Sequence, residues 1–191
     1  MNNDHHDRLK EATKTAHHQV EIQVGARALM QQPERESYLH LLQAHYGYIH
    51  WVQQCLQKSA YTIMDWEDLP KKKALASDIL QLGGELPQKS SLVPVPTHAF
   101  TLGLCYVSEG ASLGNRLMLK VLLENETFKS WEAHRFFAFE DPVYPERWKA
   151  FLREIAQLGE AGYPQLEQGA RDGFDQFAQI HYQLSKVTTR L

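Results

Sequence analysis

Residues 9–24 read LKEATKTAHHQVEIQV, and this stretch indicates the fold class most clearly. On a helical wheel of about 100° per residue, its apolar and small side chains fall into one stripe. The sequence has no stretch with the alternation and the β-branched content that a strand requires. It therefore predicts an all-α protein. The stripe consists of Leu9, Thr13, Ala16, Val20 and Val24.

Two neighbouring histidines occupy different positions on this first helix. His17 lies at the edge of the apolar stripe and can face the interior, whereas His18 points about 100° further round, towards solvent. A histidine beside an apolar stripe is more often an ordinary boundary residue than a ligand, so the wheel leaves both interpretations open. If His17 binds a metal, Glu21 is placed one turn later to accept a hydrogen bond from its second ring nitrogen.

Capping residues, glycines and prolines divide the chain into helices. Gly83 and Gly84 are predicted to end the third helix, and Thr97 to cap the fourth. Residues 83–96 hold three prolines and form a connector. The chain is predicted to be one domain, residues 1–191, of about six to eight helices packed face to face. The predicted helices cover residues 4–29, 33–52, 71–82 and 97–125, with two more following Pro145 and Pro164.

The fourth helix carries an unusual set of glycines. Residues 103–123 read GLCYVSEGASLGNRLMLKVLL, and Gly103, Gly110 and Gly114 project within about 40° of one another. Each glycine inside a helix costs about 1 kcal/mol relative to alanine. Three on one face therefore indicate that another group approaches the backbone closely. That group is either a neighbouring helix or a flat ligand, and glycines also allow a bend that opens or closes a pocket.

Composition limits the classes of function. The 191 residues carry a net charge of -3 with acids and bases interspersed, which argues against nucleic acid as the main partner. A content of 43% hydrophobic and 23% charged residues is typical of a globular protein. Cys55 and Cys105 lie in apolar helical patterns and are predicted to be buried, reduced thiols. The sequence shows neither a secretory signal nor an apolar run of membrane-spanning length, so the expected location is cytoplasmic, with no membrane association.

Three segments resemble motifs of the haem oxygenase family. Residues 9–21, LKEATKTAHHQVE, resemble the proximal-helix motif, in which a histidine follows a Leu-Lys-x-Ala-Thr start. Residues 106–116, YVSEGASLGNR, resemble the distal-helix motif, especially that of the phytochrome-associated bacterial branch. Residues 148–155, WKAFLREI, are similar to a third stretch, where two basic residues one turn apart contact the haem propionates. Their order across nearly the whole chain implies the single-domain, multi-helix fold of that family.

The resemblance implies a role for each matching residue. His17 would be the proximal ligand to the haem iron, and Glu21 its hydrogen-bond partner. Gly110 and Gly114 would let the distal helix pass close over the haem face where the reaction occurs. The other haem contacts that the resemblance implies are Lys10, Lys149 and Arg153, which would neutralise the propionates, and Tyr106 and Phe174, which would line the pocket.

The distal motif departs from the family pattern. Asn115 stands where many members have another glycine, which indicates a stiffer distal helix or a narrower pocket. Ala111 occupies the position where the animal enzymes carry an aspartate that orders distal water. Val107 likewise offers no polar side chain. Protons would then come from another group or from water held by backbone carbonyls.

The implied reaction is the opening of the haem ring by dioxygen to give biliverdin, ferrous iron and carbon monoxide. Haem would be both substrate and prosthetic group. Since the sequence has no flavin, nicotinamide or iron–sulfur motif, electrons are expected from an external ferredoxin or flavin reductase, and a phytochrome is a candidate acceptor of biliverdin. Two alternatives stay open. One is a haem- or bilin-binding module without turnover, and the other is a thiamin-degrading relative on the same scaffold, which would need a catalytic cysteine in the pocket.

Overall fold

The computed structural model describes residues 4–58, 70–87, 96–139 and 144–188. Within these ranges every regular element is an α-helix, which confirms the all-α prediction. In chain order, the helices are α1 (Asp4–Gln23), α2 (Ala26–Gln31), α3 (Arg35–Lys58), α4 (Pro70–Gln81), α5 (His98–Leu122), α6 (Glu126–Ser130), α7 (Tyr144–Gln157) and α8 (Gly159–Thr188).

The first predicted helix is divided into two. The prediction of one helix over residues 4–29 was wrong, because α1 ends at Gln23 and Gly25 adopts a left-handed backbone conformation with a φ of 66°. Glycine takes this conformation without the steric cost that a Cβ imposes. The chain turns at this point, and Leu29 of α2 is buried in the core.

Helix α4 ends just before Gly83 and Gly84, as the sequence predicts. Gly83 has a φ of 70°, and its N–H donates to the carbonyl of Leu80 at 2.9 Å. The N–H of Gly84 donates to the carbonyl of Ile79 at 3.0 Å. These two bonds satisfy carbonyls at the helix end in a Schellman motif. Most of the predicted connector, residues 88–95, lies outside the described residues.

Thr97 caps α5, as predicted, because its hydroxyl oxygen accepts a hydrogen bond from the N–H of Phe100 at 3.3 Å. The helix ends at Leu122, earlier than the predicted end at Asn125. Asn125 instead caps α6 by accepting from the N–H of Phe128 at 3.0 Å. Hydrophobic periodicity did not predict α6, since five residues are too few to display it.

Pro164 lies inside α8 rather than in its first turn. The helix begins earlier, at Gly159, whose φ is 63°. A proline this near the start of a helix removes only one backbone hydrogen bond, and Tyr163 and Leu166 on either side of it are buried. The predicted start near Pro164 was therefore too late, whereas Pro145 does lie in the first turn of α7.

The central helix is α8, which packs against α1, α3 and α5. Its close approach to α5 requires glycine on both sides. A Cβ on Gly103 would meet the backbone of Leu166, and a Cβ on Gly169 would meet the carbonyl of Phe100. Because α8 supports both α1 and α5, it positions the two helices that carry the first two motifs.

The two cysteines are buried free thiols, as predicted, with Cys55 on α3 and Cys105 on α5. Among the helices of the described ranges, none combines the length and the apolar character needed to cross a membrane.

Candidate functional site

The apolar stripe of α1 packs onto the core as the wheel predicts. Leu9 is fully buried, Thr13 is nearly so, and the other members of the stripe are partly buried. His17, at the edge of the stripe, lies at the surface. Its ring meets the ring of Phe174 on α8 edge-on, with centroids 5.6 Å apart and planes at 88°. The side chain of His17 therefore has an apolar neighbour from the central helix.

Glu21 lies between the two histidines. Its Oε1 is 3.7 Å from Nδ1 of His17, and its Oε2 is 3.6 Å from Nδ1 of His18. The side chains of His17 and His18 are 59% and 70% exposed, so exposure does not distinguish them. The contact with Phe174 does. With Nδ1 directed towards a carboxylate, Nε2 of His17 is the ring nitrogen suited to bind a metal.

The three glycines of α5 are of two kinds. Gly103 packs against α8, so the helix-packing interpretation is correct for that glycine. A Cβ built on Gly110 or Gly114, in contrast, would meet no heavy atom of the described residues within 4 Å. Leu117 and Val121 continue the same face of α5, within about 60° on the wheel, and their side chains are exposed. This face combines accessible backbone with apolar side chains, and it is called the glycine face below.

Tyr106 lies near one end of the glycine face, where α1, α5 and α7 come together. Its ring centroid is 6.1 Å from that of His6 on α1, and His6 is in turn 5.8 Å from the ring of Trp148 on α7. Burial raises the pKa of Tyr106, although a hydrogen bond with Thr13 opposes this rise. Burial also lowers the pKa of His6, which favours the neutral imidazole. Partly buried rings thus join the three helices here.

The predicted cations lie on two helices that meet at this point. Lys10 is exposed on α1, one turn after His6. Lys149 and Arg153 are exposed on α7. The ammonium of Lys149 donates to Oε1 of Glu146 at 2.8 Å, and this bond lowers the pKa of the Glu146 carboxyl. The structure therefore places the three cations on adjoining helices.

Sequence reasoning missed Glu109, the residue immediately before Gly110. Its side chain is only 1% exposed, and its carboxylate pairs with the ammonium of Lys71 at 3.3 Å and the guanidinium of Arg147 at 3.2 Å. A signal was present, because an acidic residue in the apolar first half of α5 requires a buried partner. Asn115 lines a pocket together with Lys71 and Arg147 of this cluster, and on the wheel it projects about 100° or more from Gly110 and Gly114.

The environment of Cys105 does not resemble that of a nucleophile. The side chain is fully buried, and burial, followed by the charge of Glu109, raises the pKa of the thiol well above its usual value. A reactive cysteine instead has a lowered pKa and access to substrate. The alternative of a thiamin-degrading activity therefore has no support at Cys105.

Comparison with known proteins gives a consistent result. A family model described as "Heme oxygenase" matches residues 3–183 of the chain. A curated protein named "Heme oxygenase", from Xanthomonas campestris pv. campestris (strain 8004), is 26% identical over 133 residues, which cover 67% of this chain and 79% of that protein.

The fold is similar to a solved structure. The match is to the NO- and CO-bound haem oxygenase from Neisseria meningitidis, with a TM-score of 0.69 and 19% sequence identity. The matched region covers 93% of this chain and 90% of that chain. At this identity the similarity concerns the arrangement of the helices.

Proposed function

Because the chain belongs to the haem oxygenase family, we propose that it opens the haem ring with dioxygen and external electrons, releasing biliverdin, ferrous iron and carbon monoxide. One observation carries the proposal. Two helices that rest on α8 present complementary features: an exposed histidine beside Phe174 on α1, and on α5 a face where Gly110 and Gly114 leave the backbone open.

The residues present fit a haem group. A haem group would need a nitrogen ligand for its iron and an adjoining surface with few side chains. His17 would supply the ligand, and the glycine face would supply the surface. The exposed side chains of Leu117 and Val121 match the apolar body of the ring. When bound, haem supplies the redox-active iron and the ring carbon that is oxidised.

In this proposal His17 would hold the haem iron through Nε2. A neutral histidine is a common proximal ligand in haem proteins. Glu21 accepts a hydrogen bond from Nδ1, directly or through water, which sets the tautomer and the orientation of the imidazole. The edge-on contact with Phe174 restricts rotation of the His17 imidazole.

The glycine face determines how closely α5 approaches the substrate. Gly110 and Gly114 allow the helix backbone to lie near the reacting side of the ring. Neither Ala111 nor Val107 carries a polar side chain, so we assign proton delivery to another group of the site or to water held by backbone carbonyls of α5. Tyr106 and Phe174 line the apolar walls of the site.

Lys10, Lys149 and Arg153 neutralise the propionates through charge-assisted hydrogen bonds. An external ferredoxin or flavin reductase supplies the electrons. The likeness of the distal motif YVSEGASLGNR to the phytochrome-associated bacterial branch supports a phytochrome as the acceptor of biliverdin, and we place the protein in that branch.

The test is a titration of the purified protein with ferric haem, followed by turnover with ascorbate under oxygen. We expect loss of the Soret band with a rise in red absorbance, and biliverdin identified by chromatography. A Soret band that remains stable under these conditions would contradict the proposed reaction and would identify a haem- or bilin-binding module instead. Failure to bind haem at all would contradict both.

A further inference from the structure

A buried ion cluster joins three helices at the distal helix. Oε1 of Glu109 lies 3.3 Å from Nζ of Lys71, and Oε2 lies 3.2 Å from Nη2 and 3.4 Å from Nε of Arg147. The side chains of Lys71 and Arg147 are 8% and 12% exposed. The Glu109 cluster, meaning these three residues, therefore connects α4, α5 and α7 away from solvent.

A buried ion cluster of this kind is weak evidence for a contribution to stability. Removing charges from water carries a large desolvation penalty, and apolar side chains of similar volume often stabilise a protein at least as well as a buried ion pair. An ionic cluster does, however, restrict geometry, because the hydrogen bonds between a carboxylate and a guanidinium form only over a narrow range of distances and angles. The Glu109 cluster is thus suited to setting the relative position of its three helices.

The position of the cluster in the sequence connects it to the candidate site. Glu109 directly precedes Gly110, so its side chain anchors α5 at the start of the glycine face. Arg147 directly precedes Trp148 and Lys149 in the first half of α7. Trp148 contacts His6 of α1. The start of α7 is therefore held by α5 through Arg147 and by α1 through Trp148.

We infer that Glu109 is a positioning residue: it holds the α7 cations Lys149 and Arg153 in a defined place relative to Gly110, and so determines which edge of the haem faces the reacting side. The inference rests on the proposed function. Rotation of the ring about the iron changes which meso carbon is opened, and the propionate contacts of α7 restrain that rotation. The orientation of the substrate then depends on a carboxylate that does not touch it.

The experiment compares Glu109→Gln and Arg147→Gln with the wild-type protein. Glu109→Gln removes the charge with little change in shape, and Arg147→Gln leaves the pair of Lys71 and Glu109 intact in case the first variant folds poorly. Two readouts are measured: the ratio of biliverdin isomers, and the ratio of haem orientations in the ferric complex by proton NMR. We expect both ratios to change by about tenfold, because ångström-scale displacement of a bound substrate has effects of this size or larger.

Asp78→Asn is the matched control. Asp78 is a fully buried carboxylate on α4 that accepts a hydrogen bond from the N–H of Phe136 at 2.7 Å and lies 3.5 Å from Nη1 of Arg135. We expect this variant to lower the melting temperature without changing either ratio. Compared with Arg147→Gln, the variant Arg147→Lys should bring both ratios part of the way back to the wild-type values, because it keeps a cation in the cluster. Unchanged ratios in both test variants, or an equal change in Asp78→Asn, would overturn the inference.

The two proposals fail in distinguishable ways. If the wild-type protein binds haem without producing biliverdin, the proposed reaction is wrong, and the NMR ratio still tests the positioning role. If biliverdin forms with the same isomer ratio in all variants, the reaction stands and the role of Glu109 is refuted.

Discussion

His17 and His18 have similar exposure and share Glu21, but they differ in their apolar neighbours. Only His17 has a described ring contact, with Phe174 of the central helix. We predict that His17→Ala abolishes the histidine-ligated spectrum of the haem complex, while His18→Ala leaves it almost unchanged. Absorption and electron paramagnetic resonance spectra of both variants provide the measurement. The reverse pattern would assign the ligand to the other face of α1.

Gly110 and Gly103 share a face of the helical wheel but have different surroundings. We predict that Gly110→Leu keeps the protein folded and able to bind haem, because a Cβ there meets no described atom within 4 Å, yet sharply reduces ring opening. Leucine also favours the helix by about 1 kcal/mol relative to glycine. Melting temperature and turnover per folded molecule are measured on the same sample.

The control for this experiment is Gly103→Ala, whose new Cβ would meet backbone atoms of Leu166, Gly169 and Ala170. Backbone cannot move aside as a flexible side chain can, so this variant should lose about 1–3 kcal/mol of unfolding free energy. Its turnover per folded molecule should stay normal. A Gly110→Leu variant with lost stability and normal turnover would refute the assignment of the glycine face.

At the scale of an element, α7 carries two exposed cations on an amphipathic helix. We predict that the double variant Lys149→Ala, Arg153→Ala weakens haem affinity at least tenfold, since two lost charge-assisted hydrogen bonds of roughly 1 kcal/mol each together exceed the 1.4 kcal/mol of a tenfold change. The melting temperature without haem should change little, because both side chains are exposed. Haem titration gives the affinity.

Lys129→Ala is a control for this double variant. Lys129 donates to Glu126 three residues earlier, as Lys149 does to Glu146, but on α6. The control should leave haem affinity unchanged. If Lys129→Ala lost as much haem affinity as the double variant, the loss would be due to the change in net charge and not to contacts of Lys149 and Arg153.

We expect His45 to make the stability of the folded protein depend on pH. Its ring centroid is 4.9 Å from that of Phe177 on α8 and 5.2 Å from that of Phe136. Burial, followed by the charges of Lys71 and His181, lowers the pKa of His45 to about 3. The unfolded chain therefore binds a proton that the folded protein excludes between about pH 6.5 and 3. The stabilisation that comes from keeping His45 neutral in the folded protein is fully present above this pH window. It is lost as the pH decreases through the window.

We predict that His45→Phe reduces this acid dependence. One excluded proton contributes at most about 1.4 kcal/mol of unfolding free energy per pH unit. Urea unfolding at pH values from 7 down to about 4 should show a shallower decrease in the variant than in the wild-type protein. Some slope should remain, because burial also lowers the pKa of His6, His40 and His181. An identical slope in the two proteins would contradict the role of His45.

Several local features could be predicted from neighbouring residues along the chain. The cap at Thr97, the end of α4 at Gly83 and the apolar stripe of α1 were all predicted, since each depends on contacts within a few residues along the chain. The local signals were less reliable at Gly25 and Pro164. A glycine can either continue or end a helix, and Gly25 separates α1 from α2. A proline can either begin a helix or lie near its start, and Pro164 lies inside α8.

The packing of the helices, in contrast, sets which residues share an environment. Gly103, Gly110 and Gly114 are equivalent on a wheel, yet α8 covers the first and no described atom lies within 4 Å of a Cβ on the other two. Glu109 has partners that are 38 positions away in both directions along the chain. Local periodicity describes one helix at a time. The packing of helices depends on contacts between residues that are far apart in the sequence. For that reason the surroundings of Gly110 and Glu109 could not be predicted from one helix alone.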